Sequence, residues 1–125
     1  MIVGTGIDIV RNERLKKWLS DDKILERFFH PVEIEYVKSK KASGVEHLAA
    51  RFASKEAFVK ALGTGFRGIN LKDICVYNEE SGRPRLKLEN TAEEKLVQSG
   101  ASSVHLAISH EREYTVAMVT LEKLE

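Results

Sequence analysis

The sequence holds one cysteine, Cys75, among 125 residues. One thiol cannot close an internal disulfide, and no C-x-x-C pair exists to hold zinc. Cys75 lies in the apolar run Ile74-Cys75-Val76-Tyr77, where a buried structural thiol is expected. An excess of one charge is missing too: 20 Lys and Arg face 19 Asp and Glu, a net of +1. Bulk electrostatics therefore gives no ground for a nucleic-acid or membrane partner. No apolar run approaches a membrane span. The apolar start, Met1 to Val10, is short, broken by glycine and interrupted by Asp8, unlike a signal peptide. A cytoplasmic location is expected. Repeats, low-complexity tracts and linkers are also lacking, so residues 1–125 are expected to form one domain around one core.

What is present is ordinary for a soluble globular chain: 42% apolar and 31% charged residues, which excludes disorder. Met1 to Val10 reads as a buried strand. Asn12 is expected to cap a short helix carrying Leu15, Trp18 and Leu19, and Asp21 or Asp22 another with Ile24, Leu25 and Phe28. Pro31 suits the first turn of a third helix. The longest helical run is Val45 to Leu62, ending at Gly63, and the loop Gly63-Thr64-Gly65-Phe66-Arg67-Gly68 follows. Asp73 to Tyr77 and Arg85 to Leu88 read as strands joined by the turn Ser81-Gly82-Arg83-Pro84. A helix from Asn90 to Ser99 stops at Gly100, and Val104–Ser109 with Tyr114–Leu121 forms a terminal hairpin. This order predicts an α+β fold: an amino-terminal strand and helices, then a mostly antiparallel sheet packed on the long central helix.

Charge is uneven along the chain. Arg51, Lys55, Lys60, Arg67 and Lys72 face a single acid, Glu56, between positions 51 and 72. A basic segment in a neutral chain suggests a specific anion site; a solvated helix face is the plain alternative. Two acids stand out. Asp8 interrupts the apolar strand Gly6-Ile7-Asp8-Ile9-Val10 and shares a face with Gly6 and Val10. A carboxylate there needs a cation or a donor network. On a helical wheel of about 100° per residue, Glu56 falls within the arc of Leu48, Phe52 and Val59. Lys60 follows one turn later, so a plain Glu56–Lys60 pair accounts for the spacing, though not for the apolar setting. Two carboxylates on separate elements, flanked by Arg51, Lys55 and Lys60, suit magnesium acting on a phosphate. Gly4-Thr5-Gly6 and Gly63-Thr64-Gly65 match neither a dinucleotide fingerprint nor a Walker loop. His30 and His47 have no evident partners, His105 alternates with Val104 and Leu106, and His110 sits where strand meets turn.

Taken together, these motifs resemble the holo-[acyl-carrier-protein] synthase family, the short 4′-phosphopantetheinyl transferases. Gly6-Ile7-Asp8-Ile9-Val10 is similar to that family's first strand, and Arg51-Phe52-Ala53-Ser54-Lys55-Glu56-Ala57-Phe58-Val59-Lys60-Ala61 to its signature helix. Gly63-Thr64-Gly65, Ser81-Gly82-Arg83-Pro84 and Ile108-Ser109-His110 follow in the expected order. The resemblance implies transfer of 4′-phosphopantetheine from coenzyme A to a serine of apo acyl carrier protein, releasing adenosine 3′,5′-bisphosphate, a step that serves fatty acid biosynthesis. It implies magnesium held by Asp8 and Glu56, with Glu56 and Lys60 catalytic; the general base is Glu56 or a metal-bound water. Arg51, Lys55, Lys60, Gly63, Thr64, Gly65, Ser81, Gly82, Pro84 and His110 are the implied coenzyme A contacts. Arg11, Arg14, Lys17 and Arg27 are candidates for a basic surface docking the acidic carrier. Larger relatives carry a second acid two residues after the strand aspartate, where this chain has Val10; the short members are homotrimers with sites between subunits. The competing expectations are a magnesium-dependent nucleotide phosphohydrolase and, outside catalysis, an anion- or nucleic-acid-binding module on the 51–72 segment.

Overall fold

The computed structural model describes residues 1–125. Strand β1 (Ile2–Arg11) leads into a 3-10 turn (Asn12–Leu15), then α1 (Lys16–Leu19), α2 (Asp22–Phe28), α3 (Pro31–Ser39) and α4 (Gly44–Leu62). A 3-10 turn (Leu71–Asp73), β2 (Ile74–Asn78), β3 (Pro84–Leu88), α5 (Asn90–Ser99), β4 (Ser103–His110) and β5 (Tyr114–Glu122) follow. The fold is α+β, as the element order predicts, but the strands form two antiparallel sheets: β1-β5-β4 and β2-β3.

Helix α4 is the rib of the molecule. It is alanine-rich, which favours helix at no side-chain entropy cost, and it is buried on nearly every side from Leu48 to Ala61. Gly63 ends it at φ +75°, its N–H reaching the carbonyls of Lys60 and Val59. Where β1 crosses α4 the two backbones almost touch. A Cβ on Gly6 would lie 2.1 Å from the Ala57 carbonyl oxygen, and one on Gly4 2.1 Å from that of Ala61. Glycine on the strand and alanine on the helix make that approach possible. The buried apolar side chains, Phe58, Leu48, Leu121, Ile74 and Val10 among them, form one contiguous cluster around the rib.

Several local expectations change. The first strand is buried on one face only: Ile7 and Ile9 are 61% and 63% exposed on the outside of the sheet, while Gly6 and Val10 face α4. Asn12 caps no helix. It is buried, donates from Nδ2 to the Glu111 and Arg112 carbonyls, accepts from Thr115 Oγ1, and ties the β4–β5 turn to the end of β1. Asp21 does cap α2. His30 has partners after all: its Nδ1 caps α3 by accepting from Val32 N–H, and its Nε2 lies 3.0 Å from Glu89. Cys75 is buried, and desolvation pushes its thiol up to about 11.

Candidate active site

Asp8 reaches the inner face of the sheet because the strand alternates around it, and Gly6 lets that face press against α4. Glu56 and Lys60 lie on the α4 row next to the alanines that meet β1. Lys60 does not pair with Glu56 across its own turn. Its Nζ donates to Asp8 Oδ1 at 2.9 Å and to the Ile7 carbonyl at 3.3 Å. The Asp8 hydrogen bond and charge raise the Lys60 pKa, so the ammonium is firmly protonated. Glu56 is half-buried; desolvation chiefly, then the Asp8 charge, raises its pKa, and Lys60 and Arg14 oppose the rise. Two carboxylates from two elements therefore share one electrostatic site with one lysine.

These residues fit a hard divalent cation. Magnesium takes one or two carboxylate oxygens and leaves its other positions to water and phosphate. Two mutually repelling carboxylates, one of them desolvated enough to hold its proton more tightly, are a donor set that such a charge would relieve. No group of three or more His, Cys, Asp or Glu side chains gathers in the chain.

Glu56 lines a cavity of about 450 Å³ together with Trp18, Arg27, Phe28, Phe52, Phe66, Ile69, Asn70 and Leu71. Trp18 organises its floor, stacked on Phe28 at 5.6 Å and edge-on to Phe52 at 5.1 Å. Arg14 lies over Phe52 and Arg27, which lines the cavity, over Phe28, and both arginines are exposed. Arg11 and Lys17 are exposed as well.

Other sequence-predicted residues are distributed differently. Lys55 is fully buried, and its Nζ donates to Glu33 Oε1 at 2.6 Å, to the Leu71 carbonyl at 2.9 Å and to the Ile74 carbonyl. With all three donors committed inside the protein, it has none left for a phosphate, which corrects its expected role as a coenzyme A contact. Arg51 is also buried. Its Nη2 donates to Asn78 Oδ1 at 3.0 Å, Nη1 reaches the His47 carbonyl, and the guanidinium lies 4.1 Å from the Tyr36 ring centre. Only its Nε lacks a partner. Asn78, which no motif singles out, donates in turn to the Gly82 carbonyl and so joins Arg51 to the Ser81–Pro84 turn. Gly82 sits at φ +94°, a conformation that favours glycine. Gly63 and Gly65 take positive φ with open space where a Cβ would stand, leaving Thr64 exposed just past Lys60.

His110 is exposed at the end of β4, beside a cavity of about 300 Å³ with Ile9, Ser109, Glu111, Tyr114 and Val116. It lies near enough to His47 that its charge, after burial and the charges of Arg51 and Lys40, helps lower the His47 pKa. In the sheet register Asp8 sits opposite Ala117 and Ile108, whereas His110 sits opposite Thr115 and Val10. The two are thus two strands and one side-chain row apart, roughly 12 Å between backbones. Within one chain, Asp8, Glu56 and Lys60 form one group and Arg51, Asn78 and the Ser81–Pro84 turn another, while His110 lies near His47, whose carbonyl Arg51 reaches.

Residues 4–119 match the profile of the 4′-phosphopantetheinyl transferase superfamily. The chain belongs to that superfamily. It is 54% identical to the holo-[acyl-carrier-protein] synthase of Treponema denticola, over 98% of this chain and 99% of the relative, and 50% identical to that of a Geobacter strain. Among solved structures, the Bacillus anthracis synthase in complex with CoA (3′,5′-ADP) superposes with TM-score 0.83 at 40% identity, covering 99% of each chain. The Neisseria meningitidis synthase gives TM-score 0.88 at 33% identity, covering 98% of this chain and 100% of its own. The chain is therefore an enzyme of the holo-[acyl-carrier-protein] synthase type. The binding-module alternative also loses its footing in the fold, because Arg51 and Lys55 are buried and the 51–72 segment presents no continuous basic surface.

Proposed function

We propose that this enzyme transfers 4′-phosphopantetheine from coenzyme A to a serine of an acidic acyl carrier protein, with adenosine 3′,5′-bisphosphate leaving. The observation that carries the reading is the triad Asp8, Glu56 and Lys60, two carboxylates and a firmly charged lysine meeting across β1 and α4. Asp8 and Glu56 would hold magnesium, which supplies positive charge to a pyrophosphate. The serine oxygen forms its bond to the phosphorus bearing pantetheine as the bond from that phosphorus to the bridging oxygen breaks. The pair of electrons leaves with the adenosine bisphosphate. Glu56 is the proposed acceptor of the serine proton, and the Lys60 ammonium suits charge building on the departing phosphate. Position and charge, more than covalent chemistry, then supply the rate.

Arg27 in the lining of the apolar cavity beside Glu56, Arg14 over its Phe52 ring, and Arg11 and Lys17 outside it suit docking of an acidic carrier. Thr64 between Gly63 and Gly65, and Ser81, Gly82, Pro84 and His110, are the groups proposed for the nucleotide, with buried Arg51 holding the Ser81–Pro84 turn through Asn78. Separation of the two groups within one chain favours a site completed by another subunit. Ile7, Ile9 and Met118, all exposed on the outer sheet face, supply an apolar surface for a homotrimer. The reading places the enzyme in the cytoplasm, in fatty acid biosynthesis; no helix is long and apolar enough to cross a membrane.

Intact mass of an apo carrier protein, incubated with coenzyme A, magnesium and this enzyme, tests the proposal. One added phosphopantetheine, absent with chelator or with Glu56→Gln, is the expected result. Folded wild-type enzyme that modifies none of several carriers, or that hydrolyses coenzyme A without one, would overturn it.

A further inference from the structure

The signature lysine Lys55, next in sequence to Glu56, points away from the reaction and ends inside the protein against Glu33. Both side chains have no solvent exposure. A buried ion pair is a poor source of stability, since desolvating two charges offsets their attraction, and an apolar pair of similar volume commonly holds a core as well. Geometry gives this pair something an apolar pair lacks. Lys55 donates to the carbonyls of Leu71 and Ile74, while Glu33 accepts from the backbone N–H groups of His30 and Val76. Four backbone groups from two separate segments are thereby fixed to the helix that carries Glu56.

Those segments are two flanks of the cavity beside Glu56. Phe28, two residues before His30, forms one wall, and Ile69, Asn70 and Leu71 form the other. The second wall has neither strand ladder nor α-helix to hold it. From outside, Asn70 N–H donates to Thr91 Oγ1, and Asp73 accepts from Thr91 N–H and its hydroxyl. From inside, Lys55 is its polar anchor.

We propose that Lys55 and Glu33 are positioning residues that set the width of this cavity and, through it, the fit of the carrier protein. This rests on the reading that the carrier docks beside Arg14 and Arg27. The pair touches neither substrate nor reacting atoms, so its loss falls on carrier binding and spares coenzyme A.

The test is the double variant Lys55→Met/Glu33→Gln, which removes both charges and keeps an amide oxygen for His30 or Val76. Carrier KM is expected to rise about tenfold, with coenzyme A KM and saturating kcat within about twofold of wild type. Amide exchange across residues 69–76 should quicken at least about tenfold while residues 48–59 keep their protection. If the double variant does not fold, the apolar pair Lys55→Met/Glu33→Met, of similar volume, carries the same comparison. A folded variant with unchanged carrier KM overturns the proposal, as does a proportional rise in both KM values. If wild type modifies no carrier, the docking reading fails; exchange then still decides the pair, and unchanged exchange at 69–76 sinks it.

Discussion

Gly6→Ala tests the contact on which the proposed active site depends. The added Cβ would stand 2.1 Å from the Ala57 carbonyl oxygen, 2.5 Å from the Ala61 nitrogen and 3.0 Å from Lys60 Cβ. Carbon and oxygen ordinarily keep about 3.3 Å apart, so β1 and α4 must separate by roughly 1 Å. The two nearest obstacles are backbone, with no rotamer to yield. Overpacking of this kind costs about 1–3 kcal/mol; at the upper end, with about 4 °C per kcal/mol for a chain of this size, Tm falls by roughly 10 °C. The same displacement carries Asp8 away from Glu56 and Lys60, and a shift of about 1 Å at a reacting site costs on the order of 10²-fold in rate. Gly4→Ala is the control. Its Cβ meets the Ala61 carbonyl oxygen at the same 2.1 Å but four residues from Asp8, so it should lose similar stability and less than about tenfold in kcat/KM. Calorimetry and carrier-modification rates would be read side by side. An unchanged Tm for Gly6→Ala, or equal activity losses in both variants, would refute the reasoning.

Three further perturbations probe other parts of the structure. The raised Glu56 pKa means that the folded chain holds that proton more tightly than the unfolded chain. Its favourable contribution is complete below the ordinary value of 4.5 and is lost as pH rises through the raised value. In chelator, Glu56→Gln should therefore raise Tm at neutral pH, and the gain should vanish as the pH is lowered past 4.5; a gain independent of pH would contradict the assignment. Asn12→Ala leaves the Glu111 and Arg112 carbonyls and the Thr115 hydroxyl without their partner. A loss of about 1–3 kcal/mol is expected by denaturant titration, and a loss within error would show that water replaces the amide freely. Ile9→Lys/Met118→Lys places charge on the outer sheet face proposed as a subunit contact, and light scattering should then report a smaller particle than wild type, with little transfer activity; an assembled, active variant would refute that contact.

Much of this arrangement is legible in the residues because it is local. The end of α4 is written in Gly63, the cap of α2 in Asp21, and the terminal hairpin in alternating apolar residues. Asp8 and Glu56 can be picked out because each breaks an apolar pattern, and such a breach has few inexpensive explanations. What could not be read depends on contacts distant in sequence. Lys60 has a carboxylate one turn before it yet takes one 52 residues away. Lys55 sits in a basic stretch, but its direction is decided by Glu33 on another helix. Asn12 looks like a cap and is instead held by a turn about 100 residues on. Nor does strand alternation say which face of β1 lies against α4; Gly4 and Gly6 are the clue, and only once the helix is set beside them.

The deep setting of Cys75 bears on the chemistry of the proposed substrate. Coenzyme A is itself a thiol, and its oxidised forms exchange with protein thiolates through mixed disulfides. With its thiol pushed up to about 11, Cys75 is ionised to only about one part in 10⁴ at pH 7, and the fold encloses it. Burial and the raised thiol pKa both oppose capping of Cys75 by oxidised pantetheine thiols. A cysteine introduced at an exposed position would be the one readily labelled thiol on the protein.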